Sequence, residues 1–137
     1  MADLTGIAFA EDAAAVGPDE VEGFFAGWPK HPDGERFQRI LRGSYCVVIA
    51  RDEQSGRLVG FVNAISDGEL TAHIPLLEVV PEFQGRGIGS ELMRRMLARL
   101  AVLPMVDLTC DPELVPYYEG FGMRQVSGMV VRNAAAL

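Results

Sequence analysis

The chain has 137 residues, of which 49% are hydrophobic, and carries a formal net charge of -7 with a sequence pI near 4.7. This length and composition allow one ordinary core, so we expect a single domain over residues 1–137. The acidic balance excludes sequence-independent nucleic-acid binding, which requires a basic face to displace counterions.

The sequence indicates neither a metal site nor a membrane segment. Cys46 and Cys110 stand far apart, without a Cys-x-x-Cys pair or a Cys/His cluster. The first residues lack the basic and apolar regions of a signal peptide, and no apolar run approaches the ~20 residues of a membrane span. We therefore expect two reduced thiols in a cytoplasmic protein that binds no metal, nucleic acid or membrane.

Hydrophobic periodicity divides the first third of the chain into one strand and two helices. Leu4–Ala10 alternates weakly and predicts a short strand. Apolar residues recur at three- and four-residue intervals from Pro18 to Trp28, which predicts a helix that Pro29 ends. A second helix is predicted from Pro32 to Leu41, with Gly43 suited to closing it.

Three β-rich runs follow. Ser44–Arg51 and Arg57–Ile65 flank a turn and predict an antiparallel hairpin, and Leu70–Val80 predicts a third, central strand. Pro75 lies inside this third strand, although proline removes a donor from the hydrogen-bond ladder. We therefore expect an irregularity near Pro75.

A glycine-rich turn joins the third strand of this series to an amphipathic helix. Gly85, Gly87 and Gly89 lie between the apolar run ending at Pro81 and a helical pattern that reaches Leu100. Free N–H groups meet at such a helix start and form an anion site made of main chain. Met105–Thr109 is a strand after this helix, which implies a parallel neighbour and a right-handed crossover.

The last quarter of the chain predicts a short helix and two strands. Asp111-Pro112 suits the start of a helix over Glu113–Glu119. Met123–Val126 and Gly128–Arg132 are predicted strands. The whole pattern predicts an α/β protein of the α+β type, with a mixed sheet that is antiparallel in its first half.

Two familiar phosphate-binding patterns do not fit the glycine turn. A P-loop requires lysine and a hydroxyl residue after its last glycine, and neither follows Gly89. A dinucleotide fingerprint requires a third glycine where Ser90 stands, within a unit of parallel strands. The turn then either serves only as a tight strand-to-helix connection or follows the remaining pattern, Gln-x-x-Gly-x-Gly from Gln84 to Gly89.

This pattern, within Leu-Glu-Val-Val-Pro-Glu-Phe-Gln-Gly-Arg-Gly-Ile-Gly, resembles the acetyl-CoA motif of the GCN5-related N-acetyltransferase (GNAT) family. The resemblance implies a mixed, mostly antiparallel sheet of six or seven strands with about four helices, and a parallel pair between the fourth and fifth strands. It implies acetyl-CoA as cosubstrate, with main-chain groups of Leu77 and Val79 on the pantetheine. The turn residues expected at the cofactor are Gln84, Gly85, Arg86, Gly87, Ile88, Gly89 and Ser90.

A second stretch strengthens the resemblance. Val-Pro-Tyr-Tyr-Glu-Gly-Phe-Gly-Met, from Val115 to Met123, is similar to the family's aromatic-tyrosine signature. Tyr118 matches the tyrosine that the family commonly uses as general acid, and Tyr117 is expected to pack. Asp111 departs from a frequent family asparagine, which leaves a cofactor contact there open.

The resemblance leaves the general base open between His73, Glu78 and a water chain. His73 matches a position where some members carry a histidine or glutamate base, and a histidine reference pKa of about 6.5 suits proton acceptance. Glu78 has the opposite parity to His73 along an ideal strand. The two would share one face only if the irregularity near Pro75 shifts the phase.

The function implied by the resemblance is transfer of an acetyl group from acetyl-CoA to a primary amine, by direct attack in a ternary complex. The alternative is a non-catalytic acyl-CoA-binding regulatory module on the same fold. The acceptor would be a small molecule or a protein amine, and the last strands could pair across a homodimer.

Overall fold

The computed structural model describes residues 2–137, and within them one mixed sheet is flanked by three α-helices. The strands lie in the order β1-β2-β3-β4-β5, antiparallel as far as β4, and β5 is parallel to β4. The strands are β1 Ile7–Ala10, β2 Cys46–Asp52, β3 Leu58–Ser66, β4 Thr71–Val79 and β5 Met105–Asp107. The helices are α1 Gly34–Arg42, α2 Ile88–Arg99 and α3 Val115–Glu119.

The two long helices cover opposite faces of the sheet. α1 begins at Asp33, whose carboxylate accepts a hydrogen bond from the Arg36 N–H at 2.8 Å, and it buries Phe37 against Phe61 of β3. α2 packs on the other face, where a Cβ added to Gly60 would lie 3.0 Å from Leu92. The absence of a side chain at Gly60 thus lets α2 approach the sheet closely.

The helix predicted from Pro18 to Trp28 is wrong. Only Pro18–Val21 is helical, as a 3₁₀ turn, and residues 22–33 form an irregular segment, which we call the 22–33 loop. Its backbone has positive φ at Gly23 (90°), Phe25 (59°) and Gly27 (84°), which no right-handed helix accommodates. The aromatic residues are nevertheless buried, because the loop itself packs Phe24 and Phe25 onto the sheet.

The prediction of six or seven strands and about four helices is wrong as well. Residues 123–133 contain no strand, and the apolar side chains of Val126, Met129 and Val131 are exposed. An alternating apolar pattern forms a strand only when one face is buried and the backbone is paired, and this segment has neither. The parallel pair between the fourth and fifth strands is confirmed.

The irregularity predicted near Pro75 is confirmed and shifts the phase of β4. Asn63 of β3 lies opposite Leu76, and Ile65, two residues on, lies opposite His73. Two residues of β4 therefore oppose one residue of β3, which is the count of a β-bulge. Because directly opposed residues share a face, the bulge brings His73 to the same face as Glu78.

Glu78 attaches the 22–33 loop to the sheet. Its carboxylate accepts a hydrogen bond from the Phe25 N–H at 2.9 Å. Phe25 has a left-handed backbone conformation, which costs about 1–3 kcal/mol, and the hydrogen bond helps to hold it there. Burial raises the pKa of the Glu78 carboxyl, and the hydrogen bond from Phe25 opposes this only in part. The hydrogen bond between Phe25 and Glu78 therefore holds the loop in place, but burial makes the ionised form of the carboxylate unfavourable.

We predict that Glu78→Gln raises the unfolding temperature at pH 8 by roughly 2–5 °C. Glutamine keeps an oxygen that accepts the Phe25 N–H but carries no charge to desolvate. Since the pKa of Glu78 is raised on folding, the ionised carboxylate costs stability above its folded pKa, and this cost disappears below the unfolded pKa.

Thermal unfolding at pH 8 and near pH 4 measures the effect, and the gain should vanish at the lower pH. Glu78→Ala is the control, since it removes the hydrogen bond and should destabilise the protein at both pH values. A Glu78→Gln variant less stable than the natural protein at pH 8 would contradict the desolvation argument.

Candidate active site

The glycine turn presents main-chain N–H groups at the start of α2. Gly85 and Gly87 have φ of 80° and 91°, and Gly87 is the N-cap residue of the helix. The first hydrogen bond of the helix runs from the Glu91 N–H to the Gly87 carbonyl, so the N–H groups of Ile88, Gly89 and Ser90 precede the ladder. These donors and the helix dipole favour an anion.

A cleft of about 280 Å³ opens at this helix start. Its lining consists of Val79, Phe83, Gln84, Gly85, Gly87, Ile88, Gly89, Ser90 and Tyr117. All but Tyr117 belong to one continuous stretch, from the end of β4 through the glycine turn to the first turn of α2. The anion site predicted from the sequence is therefore an open concavity in the folded chain.

Tyr117 is the one lining residue from another element. Its hydroxyl is hydrogen-bonded to that of Ser90 at 3.0 Å and lies 3.8 Å from where a Cβ on Gly89 would be. The Tyr117 ring thus closes one side of the cleft, a role that sequence reasoning missed by assigning this residue to packing. The adjacent Tyr-Tyr pair was a visible signal, but it did not indicate which ring reaches the turn.

The side chains of Gln84 and Arg86 fix the conformation of the turn. The Gln84 amide donates to the Val79 carbonyl at 2.9 Å, and the Arg86 guanidinium donates to the carbonyls of Asp3 and Thr5 at 3.1 and 2.8 Å. The Asp3 N–H in turn donates to the Arg86 carbonyl at 2.7 Å. The turn is thus clamped between β4 and the N-terminal segment, and the Arg86 charge is directed toward that segment.

The β5 side of β4 carries unpaired main chain next to the cleft. The Val80 N–H donates to the Val59 carbonyl, and hydrogen-bonded pairs alternate along an antiparallel ladder. Leu77 and Val79 therefore direct their main-chain groups away from β3. Pairing of β4 with β5 ends at His73, so β5 pairs with none of those groups, and the Val79 carbonyl accepts a hydrogen bond from the Gln84 amide instead.

Tyr118 lies on α3, half-buried among core side chains. Burial raises the pKa of the Tyr118 phenol above its usual range, and the nearby Tyr117 and Cys110 act in the same direction. The phenol is therefore protonated at neutral pH and is available as a proton donor.

His73 and Asp107 meet at the last rung where β4 and β5 are paired. Nδ1 of His73 lies 2.7 Å from Oδ1 of Asp107, and the two side chains are 44% and 50% exposed. The contact leaves Nε2 as the free ring nitrogen. Asp107 was not identified from the sequence, because a single aspartate in a short strand carries no motif.

The face of the sheet that holds His73 and Glu78 continues under the 22–33 loop. Trp28, 43% exposed, packs edge-on against Phe25, and His31 stacks on the same ring. Asn63 lies on this face too, 1% exposed, with Nδ2 donating to the Ser44 hydroxyl and Oδ1 without a partner among residues 2–137. The face of the sheet that carries His73 and Glu78 thus also carries an exposed aromatic ring, Trp28, and a polar acceptor, Asn63 Oδ1, that is unpaired within the described residues.

Other features of the described chain do not form a site. Asp111 occupies the N-cap position of the 3₁₀ turn Pro112–Leu114, but its side chain makes no capping hydrogen bond. Across residues 2–137, no group of three or more His, Cys, Asp or Glu side chains could hold a metal ion. In the same stretch, every helix is too short or too polar to cross a bilayer.

Comparison with known proteins identifies the family. The chain matches the model of the acetyltransferase (GNAT) domain over residues 12–135. A crystal structure of a Deinococcus radiodurans R1 protein, described as a candidate acetyltransferase, has a TM-score of 0.89 at 45% identity and covers 97% of this chain and 92% of that one.

Two curated relatives match shorter parts. An uncharacterized N-acetyltransferase of Porphyra purpurea is 31% identical over 100 residues, which are 70% of this chain and 57% of the relative. A serotonin N-acetyltransferase of Mesocricetus auratus is 40% identical over 67 residues, which are 47% of this chain and 32% of the relative. The chain spans about half the length of the first curated relatives it matches. Because the domain model covers most of its length, this chain belongs to the GCN5-related N-acetyltransferase family of acyltransferases.

Proposed function

We propose that this protein is an acetyl-CoA-dependent N-acetyltransferase that moves the acetyl group to a primary amine by direct attack in a ternary complex. One observation carries the proposal: an anion-binding helix start and unpaired main chain at the end of β4 border one cleft, and Tyr117, the neighbour in α3 of the protonated Tyr118, closes its side. The helix start would bind the phosphates of the carrier, and the strand edge would bind its amide-bearing arm. Tyr118 would protonate the departing thiolate.

The donor site is built mainly from main chain. The pyrophosphate of coenzyme A would accept hydrogen bonds from the N–H groups of Gly87, Ile88, Gly89 and Ser90. The pantetheine amides would pair with the main-chain groups of Leu77 and with the N–H of Val79, as an added strand does, while the Val79 carbonyl stays bonded to Gln84. Gln84 and Arg86 would contribute by fixing the turn, and Tyr117 by covering the cleft.

The chemistry requires two proton transfers. The substrate ammonium gives up one proton, and its nitrogen lone pair forms a bond to the acetyl carbon while the carbon–sulfur bond breaks. The nitrogen then loses a second proton, and the departing thiolate gains one from the Tyr118 phenol. The products are an amide and the free thiol; of the two protons lost by the nitrogen, one restores the Tyr118 phenol through solvent and the other leaves through the base and solvent.

Two side chains on the face beyond the opening can accept the amine proton. His73 has a free Nε2, and Glu78 has one carboxylate oxygen that accepts the Phe25 N–H and a second that is free of such a bond. The bulge in β4 supports both assignments, since it places the two residues on one face. A water chain would connect either residue to an amine that does not reach it directly.

The acceptor would approach from the face covered by the 22–33 loop. The exposed Trp28 ring and the half-buried Glu78 suit an amine that carries a positive charge and some apolar surface. Both a small molecule and a protein amine fit this description. We place the protein in the cytoplasm and consider a homodimer compatible with the exposed segment of residues 123–133.

We predict turnover when acetyl-CoA is combined with a panel of cationic amines and amine-bearing peptides, measured by thiol release. Acetyl-CoA alone should raise the unfolding temperature, since a ligand at 100 times its Kd stabilises by about 2.7 kcal/mol. Stabilisation without turnover across the panel would favour a non-catalytic acyl-CoA-binding module. Neither stabilisation nor binding heat would contradict both functions.

We predict that Gly87→Ala weakens acetyl-CoA binding at least tenfold in calorimetry. Its φ of 91° disfavours a side chain, and an added Cβ would lie 2.8 Å from Ala2, so the turn and its N–H groups must shift. Gly122→Ala is the matched control, because Gly122 has a similar φ of 85° with nothing within 4 Å of an added Cβ. Equal affinities in the two variants would contradict the assignment of the turn.

We predict that Tyr118→Phe lowers kcat by about 100-fold or more, because a general acid typically contributes this much, while acetyl-CoA affinity stays the same. Tyr45→Phe is the control, since Tyr45 is 41% exposed and lies at the start of β2. In the natural protein, activity should fall on the alkaline side only above the ordinary tyrosine pKa of 10.0, because the pKa of Tyr118 is raised. A Tyr118→Phe variant with full kcat would remove Tyr118 as the acid.

A further inference from the structure

The contact between His73 and Asp107 lies where β4 and β5 cease to pair. It joins β4 to β5 at the rung after which the strands separate, and the free edge at Leu77 lies beyond the bulge on the same strand. Half-exposed ion pairs contribute little to stability, with a median of about 0–1 kcal/mol. Stability alone therefore gives little reason for a 2.7 Å contact at this rung.

The contact determines which ring nitrogen of neutral His73 carries the proton. An ionised carboxylate only accepts hydrogen bonds, so the Nδ1 bonded to Asp107 must be the protonated nitrogen. Nε2 is then left with its lone pair, which is the form a general base needs. A free neutral histidine in water prefers the opposite tautomer, with the proton on Nε2, and in that form Nε2 cannot accept a proton.

Unlike His73, Glu78 makes a structural contact with the 22–33 loop. One of its oxygens accepts the Phe25 N–H at 2.9 Å and fixes the strained backbone of the 22–33 loop. This gives Glu78 a role in shaping the acceptor side of the site. His73 makes no such structural contact to the loop, and its 44% exposure leaves the ring open to a substrate.

We propose that Asp107 is a positioning residue that holds His73 in the Nδ1–H tautomer, so that Nε2 takes the proton from the acceptor nitrogen. The proposal rests on the proposed acetyl transfer and selects His73 over Glu78 as its base. As the nitrogen bonds to the acetyl carbon, its proton passes to Nε2, the carbon–sulfur bond breaks, and the thiolate receives the Tyr118 proton. The imidazolium formed in this step is stabilised by the Asp107 carboxylate and returns its proton to solvent, from which the Tyr118 phenolate takes up a proton again.

The tautomer can be measured without any activity. The chain contains two histidines, His31 and His73, so a His31→Gln background leaves a single set of ring signals in long-range proton–nitrogen correlation spectra. At about pH 9, where histidine rings are neutral, we expect the Nδ1–H form with Asp107 present and a shift to the Nε2–H form in Asp107→Ala. An Nε2–H form with Asp107 present, or an unchanged tautomer in Asp107→Ala, would overturn the proposal.

Kinetics tests the catalytic consequence. With the amine that gives the highest turnover, Asp107→Ala should lower kcat about tenfold or more and leave the KM for acetyl-CoA unchanged. The matched control is Glu11→Ala, which breaks the contact with Arg99, a pair at 3.4 Å with 53% and 49% exposure away from the cleft. An Asp107→Ala variant that keeps the kcat of the control would also overturn the proposal.

Acetyl transfer and the role of Asp107 can be disproved separately. If the natural protein transfers no acetyl group to any amine, the proposed function is wrong, and the spectra alone then decide whether Asp107 sets the tautomer. If the natural protein is active and either the spectra or kcat go against expectation, only the role of Asp107 is wrong.

Discussion

The site depends on the early separation of β4 from β5. The strands are paired over only three rungs, from Thr71 to His73, and β4 then continues for six residues without a neighbouring strand at its outer edge. Unpaired strand edges are costly when buried and prone to aggregation when exposed, so a natural sheet seldom leaves one without a purpose. Here the free edge leads directly to the glycine turn, so one continuous surface of main-chain donors and acceptors runs into the start of α2.

The bulge at Pro75 determines which side chains stand beside that surface. In an unbroken strand, His73 would face α2 and lie in the core, where an imidazole next to Asp107 would have to be desolvated. The extra residue turns it to the face that carries Glu78, Asn63 and the 22–33 loop. Proline fits this position because the ladder is already interrupted and no N–H is required. The single extra residue in β4 thus determines whether His73 lies in the core or on the face that carries polar residues.

The sequence predicted β4 and the glycine turn better than the 22–33 loop. The turn from Gln84 to Ser90 could be recognised because glycine and helix-start signals are local, and β4 was found with nearly correct ends. The 22–33 loop could not be recognised, since the spacing of its aromatic residues imitates a helix and the positive φ of Phe25 leaves no trace in composition. The strands predicted after Met123 failed because strand formation needs a partner that periodicity does not reveal. Asp107 became visible only through its register with His73.

This asymmetry has a physical origin. A donor bound by main chain requires only that glycine and the helix start be in place, so its signature is short and survives in the sequence. An acceptor bound by side chains depends on how distant segments meet, as Phe25 meets Glu78 over a separation of 53 residues. The strained backbone at Phe25 is held by a carboxyl group whose charge is disfavoured by burial, so the loop is joined to the sheet through a contact that a charged acceptor could perturb. The conformation of the 22–33 loop therefore depends on a hydrogen bond to one partly buried carboxyl group.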